Sequence, residues 1–327
     1  MNNPTLSIIS VNYKSWSVLK KCLQSFQQHP PALDYEIIVV DNDSQDGQFD
    51  RFQQQFPQIK LIANTGNYGF SNGCNLGADY AKGEYLLFLN PDVILTQSKA
   101  IDAMLHFAQQ HPQIGITSCR RINPKGKPER ELAFLHLWLN TGWVRALYKL
   151  WNKKKLQIQF PDHADIWYPD WVSGSVILIR ADLLLNIGKW SQNHFWMYSE
   201  DPDLCKKVRQ HGKEIALLRH VELKHAHGGA SRRNPQTTAI TKSEVVTSQH
   251  VFIQKHAKGL NRVALHLFTF SNTLIAWTLR TLISLIIFWT PQFKANLLTL
   301  ITIIHYYISA LMRRSWKSKR LKATPRK

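Results

Sequence analysis

Acidic side chains at two places in the chain follow apolar runs and are of the types that could bind one ligand together. Asp92 follows the run 85–89, and Asn90-Pro91 between them ends an extended segment, because a residue before proline avoids the helical region. Asp41 and Asp43 follow a second apolar run in the same way. Open α/β sheets bind ligands at the carboxyl ends of their strands, so these carboxylates are predicted to open onto one cleft.

A carboxylate in this position can hold a hard divalent cation, and the cation can bridge the phosphates of a nucleotide. Asp92 is the residue predicted to do so. The segment Asn90-Pro91-Asp92 is also a common turn composition, and taken alone a plain turn is the simpler explanation. The acidic segment 41–47 equally fits a polar turn with an Asp or Ser helix cap.

The elements that must position these residues alternate between strand and helix patterns. Apolar runs of strand length occur at 6–11, 36–40, 59–63, 85–89 and 114–119. Segments with a helical spacing of apolar residues separate several of them, which predicts an α/β fold with a doubly wound, mostly parallel sheet. The loop 64–77 is rich in glycine and asparagine and offers backbone amides to a nucleotide, although it fits neither P-loop nor dinucleotide-binding spacing.

Four motifs occur along this part of the chain in the order SIISVNY, VVDNDSQDG, NTGNYGFSNGCNLG and LFLNPDV. In this order and spacing they resemble glycosyltransferase family 2, whose members share the GT-A fold and use nucleotide-sugar donors. The resemblance runs from about residue 6 to about residue 231. The W-x-S-G segment at 171–174 resembles the rhamnosyltransferase-like branch of that family.

The resemblance implies a donor site built from these motifs. Asp41 and Asp43 are expected at the nucleobase and ribose, and Asp92 as the metal-binding member of an Asp-x-Asp-like motif whose first position is Asn90 here. The implied cofactor is a divalent cation, Mg²⁺ or Mn²⁺. The predicted donor-binding residues are Asn12, Asp41, Asp43, Gly69, Asn75, Asp92 and Arg232.

A histidine pair in a glycine-rich segment offers a second metal ligand. His225 and His227 precede Arg232 and Arg233, and the segment resembles the His-x-x-Gly-x-Ser region of related sugar transferases. Either histidine could complete a metal site, and either arginine could clamp a leaving diphosphate. Of the two histidines, His227 is favoured, so Asp92 and His227 are the predicted metal ligands.

The acidic helix start at Glu200, Asp201 and Asp203 supplies candidates for a general base. Inverting sugar transfer is a direct displacement, and a carboxylate must take the proton of the acceptor hydroxyl as the new bond forms. The family's Glu-Asp motif matches Glu200-Asp201, which implies Asp201 as the base and Glu200 as a residue that orients the acceptor or the loop. An acidic first turn that only complements the helix dipole is the alternative. The predicted acceptor-binding residues are Trp171, Gly174, Glu200 and Asp203.

The segment 120–155 is dense in basic residues at both ends, and 132–151 carries three tryptophans between them. Aromatic residues with a basic flank can lie in a membrane interface. A helical subdomain above the active site explains the same composition and is slightly favoured over contact with lipid. Because the segment falls between the donor motifs and the acceptor motifs, we predict that it takes part in acceptor binding.

The composition of the whole chain points to an anionic partner. The formal net charge is +19, and no Asp or Glu follows Glu244. Two apolar runs, 263–290 and 295–312, approach the ~20 residues that cross a bilayer, but polar stripes at helical spacing favour helices that lie in the interface or pack on the domain. The basic end of the chain predicts contact with an anionic membrane surface; a helical hairpin with a solvated tail is the alternative.

These observations predict a catalytic domain at 1–259, with a donor half at about 1–119 and an acceptor half at about 120–259, and a helical hairpin with a basic tail at 260–327. The expected activity is inverting transfer of a sugar, rhamnose from dTDP-rhamnose, to a lipid-linked (polyprenyl) glycan or lipopolysaccharide. The expected location is the cytoplasmic face of the bacterial inner membrane, as a peripheral or monotopic protein. A processive polysaccharide synthase is the nearer alternative, although the chain lacks an Arg-Trp pair. A basic nucleic-acid-binding protein fits the charge, but no nucleic-acid-binding module is recognisable, and no nucleic-acid partner is predicted.

Overall fold

The computed structural model describes residues 4–129, 131, 133–226 and 234–321, and its centre is a nine-stranded mixed sheet. The strands are β1 (Leu6–Asn12), β2 (Tyr35–Asp41), β3 (Lys60–Ala63), β4 (Tyr85–Leu89), β5 (Val93–Leu95), β6 (Ile114–Ile122), β7 (Ile166–Trp167), β8 (Val176–Arg180) and β9 (Glu214–His225). Every residue of β4 is buried, because β4 is central and both of its faces are covered.

Helices cover the sheet and form the C-terminal part of the protein. They are α1 (Trp16–Gln28), α2 (Phe49–Gln55), α3 (Phe70–Tyr80), α4 (Ala100–Gln110), α5 (Gly142–Trp151), α6 (Lys153–Gln159), α7 (Ala181–Asn186), α8 (Glu200–Gln210), α9 (Pro235–His256), α10 (Gly259–Ile283) and α11 (Pro291–Arg313). Short 3₁₀ turns lie at Leu137–Asn140 and Ser284–Ile287. The α/β prediction is therefore confirmed, together with the helical C-terminal part.

The strand order is β3-β2-β1-β4-β8-β6-β9-β5, with β7 paired to β9. Strands β1 to β4, β6 and β9 run in one direction, whereas β5, β7 and β8 are antiparallel to their neighbours. The sheet is thus mostly parallel, as predicted. The direction of β8 has a topological cause, because the long excursion 123–175, which includes β7, starts at the carboxyl end of β6 and returns the chain into the sheet from that same edge. Strand β5 is antiparallel because the chain reverses at the turn directly after β4.

The carboxyl edge of the sheet is where the acidic segments meet. The turn after β4 is fixed to the start of β8, because the Asn90 amide donates to the Ser175 carbonyl at 2.9 Å. The chain then reverses into β5, where Val93 pairs with His225 at the end of β9. Asp92 is therefore held between β8 and β9.

A buried ion cluster joins α8 to the last turn of α9. Asp203 is fully buried and accepts hydrogen bonds from Ser191 Oγ at 2.6 Å and from Lys255 Nζ at 2.8 Å. Its other oxygen lies 2.7 Å from His256 Nε2. Although burial raises it, the contacts with His256 and Lys255 lower the pKa of Asp203 to about 2. The ionised Asp203 therefore stabilises the folded state above the pKa of an unfolded aspartate, ~3.9. This contribution to the free energy of unfolding is lost as the pH falls towards 2.

The C-terminal helices pack on the rest of the protein through α9. His250 of α9 is fully buried, and its ring nitrogens lie 2.8 Å from His266 Nδ1 and 3.1 Å from the Tyr307 hydroxyl. The ring of Trp316 stacks on both histidines, with centroid distances of 4.4 and 4.5 Å. One polar and aromatic cluster therefore ties α9, α10, α11 and the segment after α11 together. The predicted division at 259–260 falls at the first residue of α10 and remains a prediction.

The hairpin formed by α10 and α11 has its polar side chains inside and its apolar side chains outside. Thr273 and Thr299 are buried, and the Thr299 hydroxyl donates to the Ala295 carbonyl of its own helix at 2.6 Å. The exposed side chains of the hairpin are largely apolar, including Ile286 (78% exposed) and Leu311 (81% exposed). The polar stripe read from the sequence thus largely packs inward, as small polar residues do between helices in membranes.

Two helical segments of the described chain are long and apolar enough to cross a membrane by length and composition, Gly259–Ile287 and Pro291–Arg313. Core helices of soluble proteins can meet the same criterion, but those helices are mostly buried. Here 22% and 28% of the most apolar stretch of each helix is buried. The burial pattern separates this hairpin from an ordinary core.

We predict that Asp203→Ala lowers the free energy of unfolding by about 3 kcal/mol or more, because Lys255 and His256 then lose their buried partner. Chemical denaturation of the full chain in detergent measures the change. Asp182→Ala is the matched control, since Asp182 pairs with Arg180 on the exposed surface and such a pair contributes roughly 0–1 kcal/mol. Equal effects of the two substitutions would show that the buried cluster does not hold α8 in place.

Candidate active site

A chain of four charged residues lies at the carboxyl edge of the sheet. His225 Nε2 is 3.2 Å from Asp92 Oδ1, and His225 Nδ1 is 2.8 Å from Glu129 Oε1. Arg121 Nε, on β6, donates to the second oxygen of Glu129 at 3.1 Å. Asp92 and His225 are both buried, so this chain of contacts excludes most water from the end of β9.

The contacts within this chain set the ionisation of its members. Although burial lowers it, the flanking carboxylates of Asp92 and Glu129 raise the pKa of His225 to about 9. Burial raises the pKa of Glu129, but His225 and Arg121 outweigh it and bring the value to about 2. The imidazolium therefore lies between two carboxylates, which offsets the charge of Asp92.

The donor set around Asp92 fits a divalent cation. A metal-binding histidine generally donates its other ring N–H to a carboxylate, and Glu129 provides that partner for His225 Nδ1. His225 Nε2 lies 3.2 Å from Asp92 Oδ1, so one nitrogen and one oxygen ligand converge, and a bound cation would displace the proton that Nε2 carries in the imidazolium. No group of three His, Cys, Asp or Glu side chains able to hold a metal occurs in the described part of the chain, so a bound ligand must supply the remaining contacts. The predicted ligand His227 and the predicted donor residue Arg232 lie outside the described residues.

The proposed base Asp201 begins α8 and is held by a backbone amide. Its Oδ2 accepts a hydrogen bond from Gly174 N at 3.2 Å, and an added Cβ at Gly174 would lie 3.4 Å from Asp201 Cβ. Burial raises the pKa of Asp201 to about 6, although the Gly174 amide acts against this. A carboxylate with a pKa near neutrality is suited to accept a proton and release it again.

Glu200, beside Asp201, is buried, and its Oε2 has no hydrogen-bond partner. Burial, with the neighbouring charge of Asp201, raises the pKa of Glu200 well above its usual range. Two carboxyl groups this close resist ionising together. Glu200 is therefore the protonated member of the pair, and Asp201 carries the charge.

The loop before α8 is fixed against the glycine-rich loop before α3. Gly69 has φ +93°, and an added Cβ would lie 2.1 Å from the Trp196 carbonyl oxygen, so only glycine fits. The amide of Phe70 donates to the same carbonyl at 2.9 Å. Tyr198 and Ser199 then both have positive φ, which turns the chain into α8. The loop predicted to meet the donor thus directly supports the loop that carries Asp201.

Two predicted donor residues, Asn12 and Asp41, form a buried pair at the ends of β1 and β2. Asn12 Nδ2 donates to Asp41 Oδ1 at 2.7 Å, and Ser44 donates to both oxygens of Asp41 through its hydroxyl and amide. Asp41 therefore shapes the turn that follows β2. Asp43 is in that turn with φ +64° and is less buried, so its carboxylate faces outward.

Two other predicted site residues have structural partners on every polar side. Asn75 is buried, donates to the Trp190 carbonyl and to Gln192 Oε1 at 2.9 Å each, and accepts from Trp190 N at 3.0 Å. It joins α3 to the segment that precedes α8. Asp203 points away from Gly174 into the cluster with α9 described above. These environments differ from the ligand contacts predicted for Asn75 and Asp203.

A cavity of about 380 Å³ lies beside the charged chain. Its walls include Arg121, Glu129, Trp171 and Ser173. Trp171 is predicted to bind the acceptor, and its Nε1 donates to the Phe134 carbonyl at 3.2 Å. The cavity is thus lined by two members of the charged chain, Arg121 and Glu129, and by Ser173, the residue before Gly174.

The structure therefore brings Asp92, Gly174, Trp171 and Asp201 to one edge of the sheet. Sequence reasoning did not identify Glu129, Arg121 or the pairing of His225 with Asp92. The one signal was the acidic Glu129, which stands in an otherwise basic stretch. Its partner in the sheet follows about a hundred residues later, which no local pattern reveals.

The segment that follows β6 also contacts the C-terminal hairpin. Helix α5 has no buried residue and exposes Trp143 and Trp151. Trp143 Nε1 donates to Asn272 Oδ1 of α10 at 2.9 Å, while Tyr148 packs edge-on against Phe134. Helix α5 thus lies between the cavity wall and the apolar hairpin.

Known proteins resemble this chain in sequence and in fold. The family model for Glycosyl transferase family 2 matches residues 7–172, just over half of the 327 residues. The chain is 22% identical over 298 residues to the N-acetylglucosaminyl-diphospho-decaprenol L-rhamnosyltransferase of Mycobacterium tuberculosis, covering 84% of this chain and 89% of that protein. It is 24% identical over 234 residues to the O-antigen biosynthesis protein RfbC of Myxococcus xanthus, covering 70% of this chain but 18% of that protein.

Among solved structures, the mannosyltransferase PcManGT of Pyrobaculum calidifontis, in complex with GDP-Man and Mn²⁺, superimposes with a TM-score of 0.56. The match covers 93% of this chain and 88% of that one at 15% identity. At this identity the likeness shows the fold alone, and the GT-A prediction is confirmed.

Proposed function

The chain belongs to glycosyltransferase family 2 and is a glycosyltransferase, and from that premise we propose that it transfers a sugar with inversion from a nucleotide-diphosphate donor. The observation that carries this proposal is the convergence of Asp92 and Asp201 on one edge of the sheet through β8. The Asn90 amide is bonded to Ser175, and Gly174, the preceding residue, binds Asp201. A diphosphate leaving group and an acceptor hydroxyl can therefore be served by two carboxylates in one cleft.

We propose a nucleotide-diphospho-sugar as the donor, with dTDP-rhamnose as the first choice. The motifs of the rhamnosyltransferase-like branch and the name of the mycobacterial relative support rhamnose. Asp43 is the carboxylate of the β2 turn proposed to meet the ribose, because Asp41 is buried and engaged by Asn12 and Ser44, whereas Asp43 is bonded to the exposed side chain of Gln45. The division into a donor half up to about residue 119 and an acceptor half after it belongs to this proposal.

Asp92 and His225 are the residues proposed to hold a divalent cation, Mg²⁺ or Mn²⁺. When bound, such a cation offsets the negative charge that develops on the leaving diphosphate. His225 replaces the predicted His227 among the described residues, because its ring is oriented by Glu129 and faces Asp92. The guanidinium of Arg121 pairs with Glu129 and keeps the Glu129 carboxyl ionised, so that it can orient the ring of His225.

Asp201 is proposed as the general base. Its carboxylate is fixed by the Gly174 amide, and the preceding residue Ser173 lines the cavity in which we propose that an acceptor sugar lies. As the acceptor oxygen attacks the anomeric carbon, Asp201 takes the hydroxyl proton. Glu200, protonated and buried behind it, supports the loop without competing for that proton.

We further propose that the acceptor is a polyprenyl-linked glycan or lipopolysaccharide and that the protein works on the cytoplasmic face of the bacterial inner membrane. The inward polar and outward apolar faces of the α10–α11 hairpin support contact with lipid. The basic residues near the C-terminal end, including Lys317 and Lys319, support contact with an anionic surface. Peripheral or monotopic association is the mode that these features favour.

Asp201→Asn is expected to lower the rate of transfer by at least about 100-fold, because the side chain can no longer accept the proton. Rhamnose transfer from dTDP-rhamnose to a polyprenyl-diphosphate-linked acceptor, followed by mass spectrometry of the product, measures the rate. Donor binding, measured by thermal shift, should change little. Loss of donor binding together with the rate would refute the role as base.

The same assignment fixes the pH dependence of the wild-type enzyme. Because only the ionised form of Asp201 is active and its pKa is about 6, kcat/KM should be level above pH 6 and fall about tenfold per pH unit below it. A profile that stays flat down to pH 5 would contradict this.

Asp92→Ala should weaken binding of the nucleotide sugar by at least about tenfold in the presence of Mn²⁺. Thermal shift with dTDP-, UDP- and GDP-sugars, with and without a chelator, measures binding and identifies the donor. Chelation should weaken binding to the wild type but leave the variant unchanged, whereas Asp182→Ala should behave like the wild type. If chelation weakens nucleotide-sugar binding equally in the wild type and in Asp92→Ala, Asp92 does not hold the metal.

Ile286→Glu at the tip of the hairpin should reduce sedimentation with vesicles of phosphatidylglycerol and phosphatidylethanolamine, because the charge must then leave water. Leu185→Glu is the matched control, since Leu185 is similarly exposed on α7, at 60%. If both variants sediment with vesicles to the same extent as the wild type, the hairpin does not make the membrane contact.

A further inference from the structure

A groove of about 580 Å³ lies between α10 and α11, on the part of the hairpin nearest α9. Its volume falls within the roughly 300–1,000 Å³ typical of small-molecule sites. The residues that line it are Phe270, Leu274, Ile304, Tyr307, Ile308, Ala310, Leu311, Arg314, Ser315 and Trp316. Apart from Tyr307, the residues that α10 and α11 contribute to the lining are entirely apolar, and Arg314 and Ser315 are found where α11 ends.

The cation of this groove, Arg314, has no carboxylate partner among the described residues. Arg314 ends α11 in the left-handed conformation, with φ +49°. No carboxylate of the described residues lies within 4.0 Å of its guanidinium, and no Asp or Glu follows Glu244 in the sequence. Glu244 itself is engaged by Ser318 and Arg320. A ligand that fills the groove must therefore supply its own negative charge.

The neighbouring arginine provides a contrast. Arg313 donates to Ser309 Oγ at 3.0 Å and to the Lys317 carbonyl at 2.9 Å, and it does not line the groove. Two adjacent residues of equal charge thus have different surroundings. Arg313 is hydrogen-bonded within the protein, whereas Arg314 borders the apolar groove.

We propose that this groove binds one acyl chain of an anionic phospholipid, with the lipid phosphate paired to Arg314. The apolar groove, which ends at the guanidinium of Arg314, complements a lipid tail joined to a phosphate ester. The inference rests on the proposed membrane association, because the outward apolar side chains of the hairpin place the groove among lipids. It goes beyond that association, since it specifies one bound lipid and one residue that selects its charge.

The bound lipid would reach the parts of the protein that hold the base. Tyr307 and Trp316 line the groove and also contact His250 of α9, by a 3.1 Å hydrogen bond and by stacking at 4.4 Å. The last turn of α9 carries Lys255 and His256, which hold Asp203, two residues after Asp201. A lipid in the groove therefore packs against the same rings that join the hairpin to the catalytic domain.

Native mass spectrometry of the delipidated full chain in detergent tests the proposal with phosphatidylglycerol and phosphatidylcholine of identical acyl chains. We expect one phosphatidylglycerol to bind with about five- to tenfold preference, because both lipids carry the phosphate but only phosphatidylcholine adds a cationic choline beside Arg314. Arg314→Gln should abolish the preference, and Arg313→Gln, with the same change in net charge, should keep it. Ala310→Phe, which fills the groove, should reduce binding of both lipids, with a thermal melt to confirm folding.

Equal loss of preference in Arg313→Gln and Arg314→Gln would overturn the proposal, because the basic surface as a whole would then select the lipid. Retained preference in Arg314→Gln would overturn it as well. Vesicle sedimentation is measured on the same variants and should be retained. If only the lipid-binding proposal is wrong, the wild-type chain still sediments with vesicles. If the proposal of membrane association is wrong, the wild-type chain itself does not sediment with them.

Discussion

The turn formed by Ser173, Gly174 and Ser175 is the constraint on which the site depends. Its carbonyl at Ser175 fixes the turn that carries Asp92, and its amide at Gly174 fixes the carboxylate of Asp201. This is possible because β8 runs antiparallel to β4 and enters the sheet at the carboxyl edge. Two carboxylates more than a hundred residues apart in sequence are thus positioned by three consecutive residues.

A second consequence of this arrangement concerns charge. In the proposed reaction, the leaving diphosphate and the base need opposite electrostatic surroundings. Around Asp92 the structure places His225 and Arg121, which favour negative charge. Asp201 is instead shielded from water, and this burial raises the pKa of its carboxyl against the opposing effects of the Gly174 amide and the charge of Arg121. Burial and pairing therefore give two chemically identical groups different surroundings, which supports the proposed roles of Asp92 as a binding carboxylate and Asp201 as a base.

The sequence was sufficient where local pattern decides structure. The apolar run of β4, the ending at Asn90-Pro91 and the position of Asp201 at a helix start all follow from neighbouring residues. Pairings across the sheet do not, so the antiparallel direction of β8 and the contact of Glu129 with His225 were missed. Asp203 shows the same limit, because its acidic helix start suggested a ligand contact while its partners Lys255 and His256 belong to a distant helix. The polar stripe of α10 and α11 was recognised, but periodicity alone does not tell whether a stripe faces solvent or another helix.

The direction from which the acceptor arrives follows from how α5 is held. The tryptophans of the segment after β6 are bonded to α10, Trp138 through Asn261 and Trp143 through Asn272. The same segment contributes Phe134, whose carbonyl holds Trp171 at the cavity wall. If the hairpin lies in lipid, as proposed, α5 must lie at the membrane surface with Trp151 outward, and the cavity opens beside it. A lipid-linked acceptor would then remain anchored in the bilayer while its sugar enters beside Asp201, so membrane contact and acceptor choice would depend on the same surface.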